Sequence, residues 1–151
     1  MSRSATRSIC EGSCGAVRGV LVDTGALVAL VRARDRHHAL VAQFFGEFPL
    51  GEFITTLPVL TEALHLLPAQ LGAAVIELAR GPRWRFPDAA KGLGRMAELM
   101  RKYADRPMDF ADASLVWAAE ETGAREILTT DGDFEIYRTR THERLQLLLA
   151  L

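Results

Sequence analysis

A chain of 151 residues, 49% hydrophobic and 25% charged, has the length for one continuous core and is too apolar for bulk disorder. Its net charge of −1 excludes nucleic-acid binding through the field of the whole molecule, so any phosphate-binding surface has to be a local patch. The two cysteines, Cys10 and Cys14, lack the neighbouring Cys or His pair that a zinc site needs, and they read as free thiols in a reducing, cytoplasmic setting.

Residues 1–18 carry arginines with no apolar stretch after them, so they do not read as a secretory signal. They are expected to form a flexible N-terminal extension, followed by one domain over 19–151. No apolar run approaches the length that spans a bilayer. Gly19 to Val22 reads as a buried strand ending in Asp23. Thr24 can cap the helix that follows, through Val31. After the polar break Arg32 to Arg36, a second helix carries Leu40, Val41, Phe44 and Phe45 at helical spacing, with Pro49 and Gly51 at its end.

Glu52 to Thr55 is a second strand. Thr56 caps the next helix, Pro58 sits in its first turn, and Pro68 ends it. That helix carries Glu62 near its beginning. A helix over 69–80 stops at Gly81-Pro82, and Trp84-Arg85-Phe86 makes a brief strand. Residues 88–104 read as one helix. Asp109 heads a helix to Glu121, closed by Gly123. Glu126 to Thr129 is a strand running into Asp131, and the segment from Ile136 reads equally as strand or short helix. Strands alternating with helices imply a three-layer α/β/α sandwich on a central, mainly parallel sheet. In such sheets the site lies beyond the carboxyl ends of the strands, where Asp23 and Asp131 fall.

Each acid also has a structural explanation. Asp23 can stabilise a helix N-terminus, and Glu62 can complete a capping box with Thr56 or Thr61. Asp109 reads as an N-cap with Asp112 as its capping partner. Asp131 and Asp133 suit a turn. Asp112 nonetheless precedes a nearly apolar helix, where an unpaired carboxylate is costly. Together, Asp23, Glu62, Asp112 and Asp131 would meet at one sheet edge and repel one another. A hard divalent cation, Mg²⁺ or Mn²⁺, relieves that repulsion, takes oxygen ligands and serves phosphodiester hydrolysis. No phosphate-binding Gly-rich loop, nucleophile elbow or paired histidines offers another chemistry. Arg32, Arg34, Arg83 and Arg85 are candidate RNA contacts, and Trp84 is a stacking face or a half-buried core residue. Phe44, Phe45, Phe48, Leu64 and Leu67 make either core or a groove for a partner helix.

The segments Val22-Asp23-Thr24-Gly25-Ala26-Leu27, Thr61-Glu62-Ala63, Asp112-Ala113-Ser114-Leu115 and Leu128-Thr129-Thr130-Asp131-Gly132-Asp133-Phe134 resemble, in order, those of the PIN-domain family, especially its VapC-like toxins. The resemblance implies a PIN-like, Rossmann-like fold and a Mg²⁺- or Mn²⁺-dependent endoribonuclease. It implies that Asp23, Glu62, Asp112 and Asp131 are the catalytic, metal-holding set, with Thr24 and Thr129 as supporting hydroxyls; Asp109, read above as the N-cap, is a further supporting candidate. It also implies a homodimer and an antitoxin partner. Gly25 departs from the family, where serine is frequent. The alternatives are an RNA-processing PIN nuclease outside toxin–antitoxin pairs, a non-catalytic nucleic-acid-binding PIN-like domain, and another metal-dependent phosphohydrolase on a similar sheet.

Overall fold

The structure is a computed structural model that describes residues 19–48 and 51–149. The expected N-terminal extension, both cysteines and Pro49 lie outside the described residues. The elements are β1 (Gly19–Val22), α1 (Thr24–Val31), α2 (His38–Glu47), β2 (Glu52–Ile54), α3 (Leu57–Leu66), α4 (Ala69–Ala79), β3 (Trp84–Arg85), α5 (Leu93–Lys102), α6 (Phe110–Thr122), β4 (Glu126–Leu128) and β5 (Gln146–Leu147). Two 3₁₀ turns, Ala89–Gly92 and Gly132–Glu135, precede α5 and follow β4.

The strands form one parallel sheet in the order β3-β2-β1-β4-β5. Val20, Leu21 and Val22 of the central strand are fully buried, as an uninterrupted apolar run between two helical layers requires. From β1 the chain steps to β2 and β3 on one side, then returns across them to β4 on the other. Right-handed crossovers put α1 to α4 on one face and α5 and α6 on the opposite face. α1 contacts α2, α3 and α4, α5 contacts α6, and α3 also meets α6. No helix among the described residues is long and apolar enough to cross a membrane.

Two expectations change. The helix expected over 88–104 is broken, because Asp88 caps a 3₁₀ turn through Ala90 N at 3.1 Å and α5 begins only after Gly92. Gly92 packs so closely on the Trp117 indole that a Cβ there would enter the ring. The ambiguous C-terminal segment is a 3₁₀ turn, an antiparallel bridge from Arg138 to Arg144, and the short parallel strand β5.

The aromatic residues of α2 are largely core rather than groove. Phe48 is 8% exposed, and Phe45 lies 4.4 Å from Phe53, centroid to centroid. Phe44 stacks on Phe48 at 5.3 Å. Trp84 stands 5.1 Å from Phe53 and 5.9 Å from Phe45, so its ring is spent on packing. Leu67 is buried as well. The exposed apolar side chains include Leu40 of α2 and, away from it, Leu57, Leu93 and Phe110.

Candidate active site

β1 and β4 are neighbours, yet their outgoing connections leave in opposite directions. A crevice must open beyond their carboxyl ends. Asp23 follows β1 directly, and Thr129 follows β4. Asp23, and not Thr24 as expected, caps α1: it is 5% exposed and accepts from Thr24 N at 2.7 Å and from the Thr129 hydroxyl at 2.7 Å, while Thr24 is the first helical residue. The Thr129 oxygen also accepts from Asp131 N at 2.9 Å. On the other flank, the Thr24 hydroxyl donates to Glu62. A continuous path of hydrogen bonds therefore runs from Asp131 through Thr129, Asp23 and Thr24 to Glu62.

Glu62 lies in the middle of α3 and not at its start. Thr56 caps that helix by accepting from Val59 N, and the Thr61 hydroxyl donates back to Leu57 O. Glu62 is thus not the capping partner of either threonine, and its side chain turns to Thr24. Asp112 does fill the capping role expected of it. Its carboxylate accepts from Asp109 N at 3.2 Å, and Asp109 accepts from Asp112 N at 2.8 Å. Asp131 caps the following 3₁₀ turn through Asp133 N at 2.9 Å, leaving Asp133 to supply only a backbone donor there.

Burial is the main force on three of these carboxyls. It raises Asp23 to about 6, aided by the charges of Asp131 and Glu62 and opposed by the Thr129 and Thr24 hydrogen bonds. It raises Asp112 to about 8, with Asp109, Asp23 and Asp131 adding negative charge nearby. It raises Glu62 too, where the Thr24 bond opposes and Asp109 and Asp131 reinforce. The four acids thus feel one another's charge, and Asp109 joins them by facing Glu62 as well as capping α6. Among the described residues, no three His, Cys, Asp or Glu side chains already enclose a cation site. The donors are nonetheless all oxygen and close enough to feel one another's charge, with Asp23 and Asp112 buried and Glu62 and Asp131 half-buried, a set that suits a hard divalent cation.

Several supporting contacts between distant segments are not foreseen from the sequence. Thr56 and Ser114 share a hydrogen bond of 2.5 Å that ties the start of α3 to the first turns of α6, fixing the helix of Glu62 against the helix of Asp112. The Thr55 hydroxyl donates to Val22 O at 2.9 Å, bracing β1 just before Asp23. Hydroxyl residues at strand ends and cap positions were the available signal.

The expected RNA-binding arginines are less available. Arg83 donates to Gly51 O and Phe48 O, and its guanidinium lies 4.6 Å above the Phe53 ring. It sits at the amino end of β3, away from the acids, where it pins the entry to β2. Arg32 donates to Leu66 O at 2.7 Å. Arg85 pairs with Glu52 at 3.9 Å. Arg34 is exposed and has no partner among the described residues. Next to the acids, a cavity of about 660 Å³ is walled by Leu57, Pro58, Leu93 and Phe110, with Glu62 and Asp109 at its polar side.

A family model described as PIN domain matches residues 20–139. The chain is similar to Ribonuclease VapC26 of Mycobacterium tuberculosis (strain ATCC 25618 / H37Rv), 27% identical over 117 residues, which is 74% of this chain and 86% of that protein. In fold it is similar to M. tuberculosis VapC20, described as a Sarcin-Ricin loop cleaving toxin. The TM-score is 0.72 at 23% identity, covering 78% of this chain and 93% of that one. It is also similar to VapBC2 from Rickettsia felis bound to a DNA fragment from their promoter, with a TM-score of 0.56 and 13% identity, covering 85% of this chain and 96% of that one. These two likenesses bear on the fold alone.

Proposed function

The chain belongs to the PIN-domain family, and from that premise we propose that it is a Mg²⁺- or Mn²⁺-dependent endoribonuclease, the toxin of a toxin–antitoxin pair. The observation that carries this reading is the hydrogen-bonded path joining Asp131, Thr129, Asp23, Thr24 and Glu62 in the crevice between β1 and β4. Its similarity to a protein named a ribonuclease supports the substrate class.

Asp23, Glu62, Asp112 and Asp131 would hold the cation. Bound there, it supplies Lewis acidity toward a phosphodiester oxygen and toward water. The protein's own contribution is orientation. Thr129 and the Thr24 peptide fix both oxygens of Asp23, and Thr24 fixes Glu62 from the adjoining helix. The capping box fixes Asp112. Groups locked in this way lose little freedom when substrate arrives. As the toxin of such a pair it would take an antitoxin as partner, and the exposed Leu57, Leu93 and Phe110 beside the acids support a second copy of the chain as the cover of that face.

Cleavage of single-stranded or looped RNA by the purified protein is expected to require Mg²⁺ or Mn²⁺. It should stop with EDTA and resume on adding cation. Undiminished cleavage in excess EDTA would overturn the reading.

A further inference from the structure

Gly25 lies in the first turn of α1, directly after Thr24, which donates to both Asp23 and Glu62. Its backbone is ordinary: among the described glycines only Gly123 has a positive φ. A glycine inside a helix is less favourable than alanine, so without a backbone need its use points to space. A Cβ at position 25 would collide with the Thr130 hydroxyl oxygen and stand 3.4 Å from Thr130 Cβ. The missing side chain is therefore the notch in which the Thr130 hydroxyl sits.

Three threonine hydroxyls stand in this neighbourhood. Thr24 donates to Glu62 and Thr129 donates to Asp23, so both hydrogens are spent on carboxylates. The Thr130 hydroxyl has no hydrogen-bond partner among the described residues. The residue is half-buried and stands in the chain between Thr129 and Asp131. An acidic cluster is rich in acceptors and poor in donors. A lysine or arginine here would be drawn to the carboxylates, whereas a neutral hydroxyl keeps its hydrogen for an incoming anion.

We propose that Thr130 is a substrate-binding residue whose hydroxyl donates to a non-bridging oxygen of the RNA phosphate at the acidic crevice, with Gly25 present to admit it. The assignment rests on the ribonuclease reading above. It makes positions 25 and 130 one functional unit, so their substitutions should not add.

The test compares Thr130→Val, Thr130→Ser, Gly25→Ala and the double variant Gly25→Ala/Thr130→Val. Each is assayed for cleavage, for melting temperature and for binding of a 2′-O-methyl RNA that resists cleavage. Thr130→Val is expected to weaken RNA binding and kcat/KM about tenfold, with most of the loss in KM and no loss of melting temperature. Thr130→Ser should restore binding. Gly25→Ala should reproduce the loss by displacing the hydroxyl, and the double variant should be no worse than either single one. If the wild type cleaves RNA and Thr130→Val binds and cleaves equally well, this proposal falls while the ribonuclease reading stands. It falls too if Thr130→Ser is as impaired as Thr130→Val, or if the losses follow the melting temperature. If the wild type neither binds nor cleaves RNA, the ribonuclease reading falls and takes this assignment with it.

Discussion

Thr129 and Asp23 are 106 residues apart in sequence, and the hydroxyl of one holds the carboxylate of the other at 2.7 Å. The same oxygen receives Asp131 N, so one buried threonine orients two acids at the ends of two adjacent strands. Valine has nearly the same shape but offers neither donor nor acceptor. Thr129→Val should cost about 1–3 kcal/mol, because a backbone N–H and a buried carboxylate oxygen lose their partners. Cleavage should fall at least about tenfold. Thermal denaturation and cleavage rates check this together. A variant with unchanged stability and activity would show that the bridge is idle.

Asp23 and Asp112 give the protein a calculable response to pH. Both carboxyls titrate higher in the fold than their ordinary value of 3.8, Asp23 at about 6 and Asp112 at about 8, chiefly through burial. Over that range the folded state binds more protons than the unfolded chain. Their favourable contribution is complete below the unfolded value and is lost as pH rises through about 6 and then about 8. Without divalent cation, the melting temperature should decline from weakly acid to weakly alkaline pH. Asp112→Asn should remove the upper part of that decline. Mg²⁺ should raise the melting temperature most at alkaline pH, where the carboxylates are charged. A melting temperature that rises with pH in EDTA would contradict the burial of these groups.

Removing single charges separates the acids by role. Asp23→Asn and Asp112→Asn should each lower cleavage by about two orders of magnitude or more, the scale expected when a group essential to the chemistry is lost. Neither should lower the stability of the metal-free protein above about pH 8, where both carboxylates are charged and each substitution relieves repulsion. Asp133→Asn should leave most activity, because Asp133 reaches Asp131 through its backbone N–H. Equal losses at Asp131 and Asp133 would reverse their assignment within the turn.

The parts of this molecule that could be read from sequence are those fixed by local pattern. The run Gly19 to Val22, the threonine cap at Thr56, the paired Asp109 and Asp112, and Gly123 with φ 77° all follow from rules that act over a few residues. The parallel sheet followed from the alternation of elements. What escaped depends on contacts between distant segments. Nothing near Phe48 indicates that Arg83 will lie against its ring, and nothing near Gly92 reveals the indole of Trp117. Arg83, Arg85 and Trp84 look alike in sequence as a basic and aromatic patch, but the aromatic core takes two of them. Ser114 passes as helix filler until Thr56 is brought beside it.

Tyr137 is wholly buried, with its ring edge-on to Phe134 at 5.3 Å and to Tyr103 at 5.1 Å. Its hydroxyl has no hydrogen-bond partner among the described residues. Burial, and then the negative charges of Asp112, Asp133, Asp131 and Asp109, push its ionisation upward, so the phenol stays neutral. A buried hydroxyl without a partner is a net cost. Tyr137→Phe keeps the ring contacts and removes the orphan, and should stabilise the protein by about 1 kcal/mol. A comparable loss of stability on denaturant unfolding would mean that the hydroxyl has an unseen partner, a buried water for instance.

Phe48 and Phe110 discriminate the core from the surface offered to partners. Phe48 is 8% exposed and stacked on Phe44, with Phe53 5.6 Å away, whereas Phe110 is 43% exposed at the rim of the cavity beside Glu62 and Asp109. Phe48→Lys should cost about 3 kcal/mol or more, since it removes a packed ring and buries a charge among apolar side chains. Phe110→Lys should leave the fold intact, because its side chain already meets solvent in the isolated chain. Leu57 and Leu93 line the same cavity and are 61% and 54% exposed, so the three side chains border the face proposed for a second copy. Sedimentation of the wild type at micromolar concentration should then report a dimer, and Phe110→Lys should shift it to monomer without changing the melting temperature measured at high dilution. If the wild type sediments as a monomer, the second copy is not what covers this border. If Phe110→Lys instead unfolds, that ring belongs to the core and the apolar face is smaller than its exposure indicates.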